Sequence, residues 1–159
     1  MPADAAPSLR TRMLALLRSL TGNRYRYRAG DGARLGARGE DLCAEEARRR
    51  GWRVLARNAR TRRGEADLVC ADDAGAIVII EVKTRTRTET LDVSPFLSID
   101  PDKLRRLRRI ADLLRRANRW EDLPVRVEAW AVTIDQAGPA TRADRIEARV
   151  LHALPPRRP

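Results

Sequence analysis

Two short runs gather the side chains best suited to metal or proton chemistry: GEADLV (Gly64 to Val69) and IIEVKTR (Ile79 to Arg85). Side chains alternate along a strand, so Glu81 and Lys83 point to one face, roughly 7 Å apart. They share that face with Ile77 and Ile79, while Val78, Ile80 and Val82 cover the other. Charge at the end of so apolar a strand is costly unless it is paired or bound to metal, which marks a candidate site. Asp72, Asp73, Ala74 and Gly75 separate the two runs as a hairpin turn would. A three-residue loop, Asp73 to Gly75, sets Asp67 directly opposite Glu81. A four-residue loop shifts the register by one, and a bulge near Asp67 would re-aim its side chain.

Two carboxylates held together repel, and the usual remedies are a shared proton or a hard divalent cation. Mg²⁺ (or Mn²⁺) prefers one or two protein carboxylates plus water and substrate phosphate, which Asp67 and Glu81 can offer. Such an ion activates a water and stabilises charge on a phosphodiester, and Lys83 would orient that water or meet the phosphate. Of 33 basic residues only Lys83 and Lys103 are lysine. An ammonium is compact and its pKa can be lowered, whereas a guanidinium is a planar fork that stays charged. Lysine at 83 therefore reads as a chemical requirement.

A third acid comes from upstream. Ala33 to Arg50 has helical composition, and Glu40 shares its i, i+3, i+4, i+7 stripe with Cys43, Ala44 and Ala47, the face that should touch the sheet. Glu40 either completes a metal set or is a helix-edge acid paired with an arginine. Glu65 shares the strand face of Asp67 by parity and is a substitute ligand. Arg62, Arg63 and Arg85, with Arg60, flank these acids and are expected to contact nucleic-acid phosphate, the alternative being solvated loop charge.

Composition sets the partner class. The 159 residues carry a net charge of +11, and 43% are apolar, enough for one folded domain with loose ends. That excess of cations suits a polyanion bound through counterion release. Cys43 and Cys70 lie in no CxxC or Cys/His cluster and read as small buried hydrophobes; His152 reads as structural or solvated. No transmembrane run exists, and Met13 to Leu20 is too short, and broken by Arg18, for a secretory signal. A cytoplasmic protein without a membrane partner is expected.

The elements that must position the site follow from punctuation. Residues 1–32 are expected to form a basic, flexible extension, in which Tyr25 and Tyr27 interleave with Arg24, Arg26 and Arg28. Residues 33–152 form the folded domain, and 153–159 a disordered Pro/Arg tail. Gly51 should stop the first helix, after which Trp52, Val54 and Ala56 alternate with Arg53, Leu55 and Arg57 as a strand. Asp100 and Pro101 start a second helix, with Leu104, Leu107, Ile110, Ala111 and Leu114 on one face. Arg105, Arg106, Arg108, Arg109, Arg115, Arg116 and Arg119 fill the rest, as a solvated or a phosphate-tracking surface. Val125 to Ile134 and Arg145 to Leu151 are two more strands, giving a mixed sheet flanked by helices.

The runs RLGARGEDLCAEEARRRGWRVLARNARTRRGEADLV, IIEVKTR and DKLRRLRRIADLL closely resemble the YraN family of bacterial proteins, over about residues 33–135. That family is similar to restriction-endonuclease-like proteins, and among them to Holliday-junction resolvases. The resemblance implies a restriction-endonuclease-like α/β fold. It implies a metal-dependent nuclease of structured or branched DNA, with the helix acid at Glu40, the motif aspartate at Asp67 and ExK at Glu81 and Lys83. Lys103 matches a lysine opening a later helix and is expected near phosphate. Resolvase-like enzymes that cut two strands are usually dimers, so a homodimer is also expected. The alternative is a non-catalytic nucleic-acid-binding protein of the same fold. One departure is the segment Thr86 to Ile99, which lacks the glycine expected in the link to the next helix.

Overall fold

The computed structural model describes residues 31–86, 96, 99–134 and 145–156. The order is α1 (Asp31–Arg49), β1 (Arg53–Thr61), β2 (Gly64–Ala71), β3 (Ile77–Thr86), α2 (Pro101–Ala117), β4 (Val125–Ile134) and β5 (Arg145–Leu154). The five strands form one sheet in the order β1-β2-β3-β4-β5. β1, β2 and β3 meander antiparallel, β3 and β4 run parallel across the α2 crossover, and β5 returns antiparallel to β4. This is the expected mixed α/β sheet flanked by helices.

The helix boundaries have local causes. Gly51 takes φ +80°, while its N–H and that of Trp52 donate to the carbonyls of Arg48 and Ala47, closing the last turn of α1. At the start of α2 the Asp100 carboxylate accepts from the Lys103 N–H at 2.7 Å, with Pro101 following it.

Alternation along β2, β3 and β4 divides the core into two layers. Cys43, Ala44 and Ala47 of α1 cover Leu68, Cys70, Val78, Ile80, Trp130 and Val132. On the opposite face Leu107, Ile110, Ala111 and Leu114 of α2 cover Val69, Ile77, Ile79, Val125 and Val127. The two cysteines are fully buried, and burial pushes both thiols up to about 12, so they pack as small apolar groups. No helix among the described residues is long and apolar enough to cross a membrane.

Three expectations need correction. Strand β1 does not alternate simply: a register shift between Val54 and Ala56 turns both Leu55 and Ala56 into the α2-side core. Arg115 is not part of the exposed basic face of α2. It is buried, and its guanidinium donates to the carbonyls of Trp120, Glu121 and Pro155, tying the end of α2 to the chain beyond β5. Finally, β5 runs to Leu154, which packs on the α2-side core, so the folded part extends past residue 152 and into the expected tail. The Tyr/Arg-rich segment and most of the stretch from Thr86 to Ile99 lie outside the described residues.

Candidate metal and phosphate site

The hairpin sets the geometry. Asp72 and Ala76 close the turn, leaving Asp73 to Gly75 as a three-residue loop with Gly75 at φ +85°. The ladder that follows pairs Ala71 with Ile77 and ends at Leu68 with Ile80. On the next rung, where Asp67 would face Glu81, the ladder gives way: the Asp67 carboxylate accepts the Val82 N–H at 2.6 Å.

A change of face explains the break. Ala66 belongs to the α2-side core and Leu68 to the α1-side core, although two residues apart on a regular strand share a face. The chain therefore turns at Asp67. On β1 the residue between the flanking pairs Arg57/Leu68 and Ala59/Ala66 is Asn58, with φ +53°. Asparagine tolerates this left-handed conformation better than most residues, and the paired distortions lift Asp67 out of the sheet's alternation.

Asp67 is consequently sensed by acids from both layers. Burial, and then the charge of Glu81, push its pKa up to about 7 against the Val82 hydrogen bond, and Glu40 contributes in the same direction. Glu81 is itself buried, on the α2 side, and its Oε1 meets two ammonium groups: Lys83 Nζ at 3.0 Å and Lys103 Nζ at 2.5 Å. Burial works against the charge of Lys83, yet hydrogen bonding with Lys103 and Glu81 carries its pKa upward. For Lys103 burial wins: despite Glu81, and helped by Lys83 beside it, its pKa is lowered. The readily deprotonated amine that the sequence suggested at 83 is therefore found at Lys103 instead.

Glu40 stands apart. It projects from α1 on the stripe expected, but its Oε2 accepts from Asn58 Nδ2 at 3.2 Å and lies 3.8 Å from the Arg57 guanidinium. Burial raises its pKa, with Asn58 and Arg57 pulling the other way. Among the described residues no three His, Cys, Asp or Glu side chains gather closely enough to hold a metal between them. Glu65 is turned to Arg60 at 2.9 Å. Arg62 and Arg63 are exposed on the β1–β2 turn, and the Arg85 guanidinium donates to the Thr133 hydroxyl at 3.1 Å.

The oxygen-only donors at the centre fit a hard cation of the Mg²⁺ or Mn²⁺ kind. Asp67 and Glu81 could hold such an ion, with water and phosphate supplying its remaining positions. Burial and the neighbouring charge of Glu81 both work against the charged form of Asp67, and a cation would relieve both.

The model of the uncharacterised protein family UPF0102 matches residues 39–144. The chain belongs to this family. A UPF0102 protein of Mycolicibacterium gilvum is 46% identical over 107 residues, 65% of this chain and 84% of that one. Others, from Renibacterium salmoninarum and Syntrophomonas wolfei, are 43% and 44% identical over 102 and 79 residues, covering 64% and 50% of this chain and 84% and 66% of theirs. Among solved structures, an EndoMS–dsDNA2 complex aligns with 67% of this chain and 38% of that one, at 21% identity and a TM-score of 0.40. Within the matched UPF0102 region lie all four acidic and basic positions read from the sequence, together with Asn58 and Lys103.

Asn58 is the residue that sequence reasoning passed over. Its one visible signal was an asparagine inside a strand otherwise made of arginine, aliphatic residues and a final threonine, where asparagine is disfavoured unless the backbone turns. Lys103 was placed near phosphate but not on Glu81, because nothing in the sequence says how α2 lies across β3.

Proposed function

We propose that this UPF0102 protein is a metal-dependent endonuclease that hydrolyses phosphodiesters in structured or branched DNA. The observation that carries the reading is the juxtaposition in the middle of β3, where its ladder with β2 ends: Asp67, lifted from the ladder and pushed up to about 7 by burial and Glu81, beside two lysines on one Glu81 oxygen. A buried carboxylate whose charge is disfavoured, Asp67, is poised to accept a cation, and the +11 net charge suits a polyanionic substrate.

When bound between Asp67 and Glu81, Mg²⁺ would supply Lewis acidity and a water of lowered pKa. The chain's own groups do the rest. With a cation held by Asp67 and Glu81, the two ammonium groups now on Glu81 would be free to face phosphate. Lys83 then meets a non-bridging phosphate oxygen, and Lys103, the more readily deprotonated amine, takes or returns a proton at the scissile phosphate. Glu40 positions rather than reacts, holding Asn58 and with it the turn that presents Asp67. Arg62, Arg63 and Arg85 extend the phosphate contacts outward.

One feature favours a second reading. Lys103 Nζ sits 2.5 Å from Glu81, where a cation would otherwise approach, as expected of a nucleic-acid-binding protein that has replaced its metal with a lysine. The test is incubation of labelled four-way-junction, flap, single-stranded and duplex DNA with Mg²⁺ or Mn²⁺. Wild type should cut at least one substrate, whereas Asp67→Ala and Lys83→Ala should bind it with little change and lose at least about 100-fold in rate. Binding without cleavage by wild type in either metal would select the binding-protein reading.

A further inference from the structure

We infer that two copies of this chain join edge to edge through β5, in a single antiparallel register with its two-fold axis at Ala148, making one continuous ten-stranded sheet. The pairing rests on strand register and charge. Its use, placing two cutting sites on one substrate, rests on the nuclease reading above.

β5 is an edge strand, paired to β4 on one side only among the described residues. Natural edges are usually blunted by proline, inward charge or short length, because an open row of N–H and C=O groups recruits other strands. β5 is ten residues long, and Val150 is 57% exposed at its middle, the one large hydrophobic group so exposed among the described residues. Ala148 and Arg149 beside it are also exposed.

The sequence of this edge is self-complementary in one register. With Ala148 on the axis, Glu147 faces Arg149 of the second copy and Ile146 faces Val150, and each pairing occurs twice. Opposite charges and apolar β-branched pairs directly across a ladder are the favourable cross-strand combinations. Neighbouring registers fail. An axis at Arg149 stacks two guanidinium groups, one at Glu147 stacks two carboxylates, and an axis between residues sets outward-pointing backbone groups against inward-pointing ones. An axis at Ile146 carries Val150 past the start of β5, and one at Val150 runs into the irregularity at Leu151. The register shift of β5 between Val127 and Glu128 falls beyond this stretch, so residues 146–150 remain regular.

The same register connects the edge to the site. Glu81 lies on one rung with Ala129 and Arg149, and Lys83 on one rung with Ala131 and Glu147. A two-fold axis perpendicular to the sheet keeps both α2-side faces, and hence both Glu81/Lys83 pairs, on the same side. Five strand spacings separate the two pairs, about 24 Å along the sheet. A dyad of this kind matches the dyad relating the two strands of duplex or four-way DNA.

The test is mass in solution, by light scattering or sedimentation at several concentrations without DNA, alongside the folding check of a thermal melt. Wild type should dimerise. Glu147→Arg and Arg149→Glu should each weaken the dimer at least tenfold, while the double exchange E147R/R149E restores it, since each residue meets the other across the axis. Ala148→Cys should oxidise to a covalent dimer, the native thiols being buried; Ala153→Cys, on the same strand but far from its own copy, should not. A monomer at every concentration, single reversals that leave the dimer intact, or a double exchange that stays monomeric would overturn the register. Cleavage assayed separately distinguishes the two ideas: a monomer that cuts removes this interface and keeps the nuclease, and a dimer that never cuts does the reverse.

Discussion

Both ends of the β2–β3 hairpin bury charge, yet they satisfy it differently. Near the turn, the Arg126 guanidinium lies 2.5 Å from Asp72 and 2.6 Å from Glu128, whose second oxygen accepts the Trp130 indole N–H at 2.7 Å. Arg126 also lies 5.2 Å from the ring of Trp52, and Arg50 lies 4.6 Å from that of Trp130. Each acid there has a fixed arginine or indole partner. At the other end, Asp67 has a backbone N–H and repulsive neighbours, while two lysines crowd one oxygen of Glu81. Buried charge alone therefore does not mark a site. The distinguishing feature is charge left mismatched, built with deprotonatable lysine rather than arginine.

The sharpest break of this comparison is to remove a cation from the closed end. Arg126→Ala leaves Asp72 and Glu128 buried without their common partner, which should cost about 3 kcal/mol of stability. Urea unfolding should register this as a lower midpoint with an unchanged slope, and DNA binding at the far end should survive in conditions where the variant is folded. A loss under 1 kcal/mol would mean that the two ends do not differ as described.

A smaller effect tests how the open end is held. α1 approaches β3 so closely at Gly39 that an added Cβ would lie 1.8 Å from the Thr84 hydroxyl oxygen, whereas Gly36, one turn earlier, faces open space. Gly39→Ala should destabilise by about 2 kcal/mol through overpacking. Gly36→Ala should stabilise by about 0.5 kcal/mol through helix propensity. The pair, followed by thermal melting, separates close approach from general helix preference, and equal effects would show that α1 has room to shift.

Much of this architecture was legible because local rules coincided with it. Asp100 and Pro101 cap α2, Gly51 ends α1, and Asp72 to Gly75 sized the hairpin loop, whose ladder runs from Ala71 with Ile77 to Leu68 with Ile80. The remainder depended on tertiary placement. The buried role of Arg115 requires the backbone beyond β5, which no helical periodicity encodes. The turn at Asp67 needs two distortions on neighbouring strands, and only Asn58 hinted at one of them. Likewise Glu40 lay on the predicted stripe, but its contact with Asn58 followed from where β1 crosses beneath α1.

A charge removed at the open end gives the opposite sign from the first effect. The Asp67 pKa rises from an ordinary value of 3.8 to about 7, so between these pH values the folded chain binds more protons than the unfolded one. Stability from this residue is present at low pH and is lost as pH rises through the folded pKa. Asp67→Asn keeps an oxygen for the Val82 N–H but cannot ionise. Without metal it should therefore stabilise the protein at pH 8 by on the order of 2 kcal/mol, raising Tm by about 5 °C, and have little effect at pH 4. Removing a charge at Asp67 would thus strengthen the fold, as removing one at Arg126 weakens it. Melting curves from pH 4 to 8 read the difference directly: the wild-type curve should fall more steeply than that of the variant between pH 5 and 8. Parallel curves would mean that Asp67 is already stably charged in the folded protein, and that the open end is as well satisfied as the closed one.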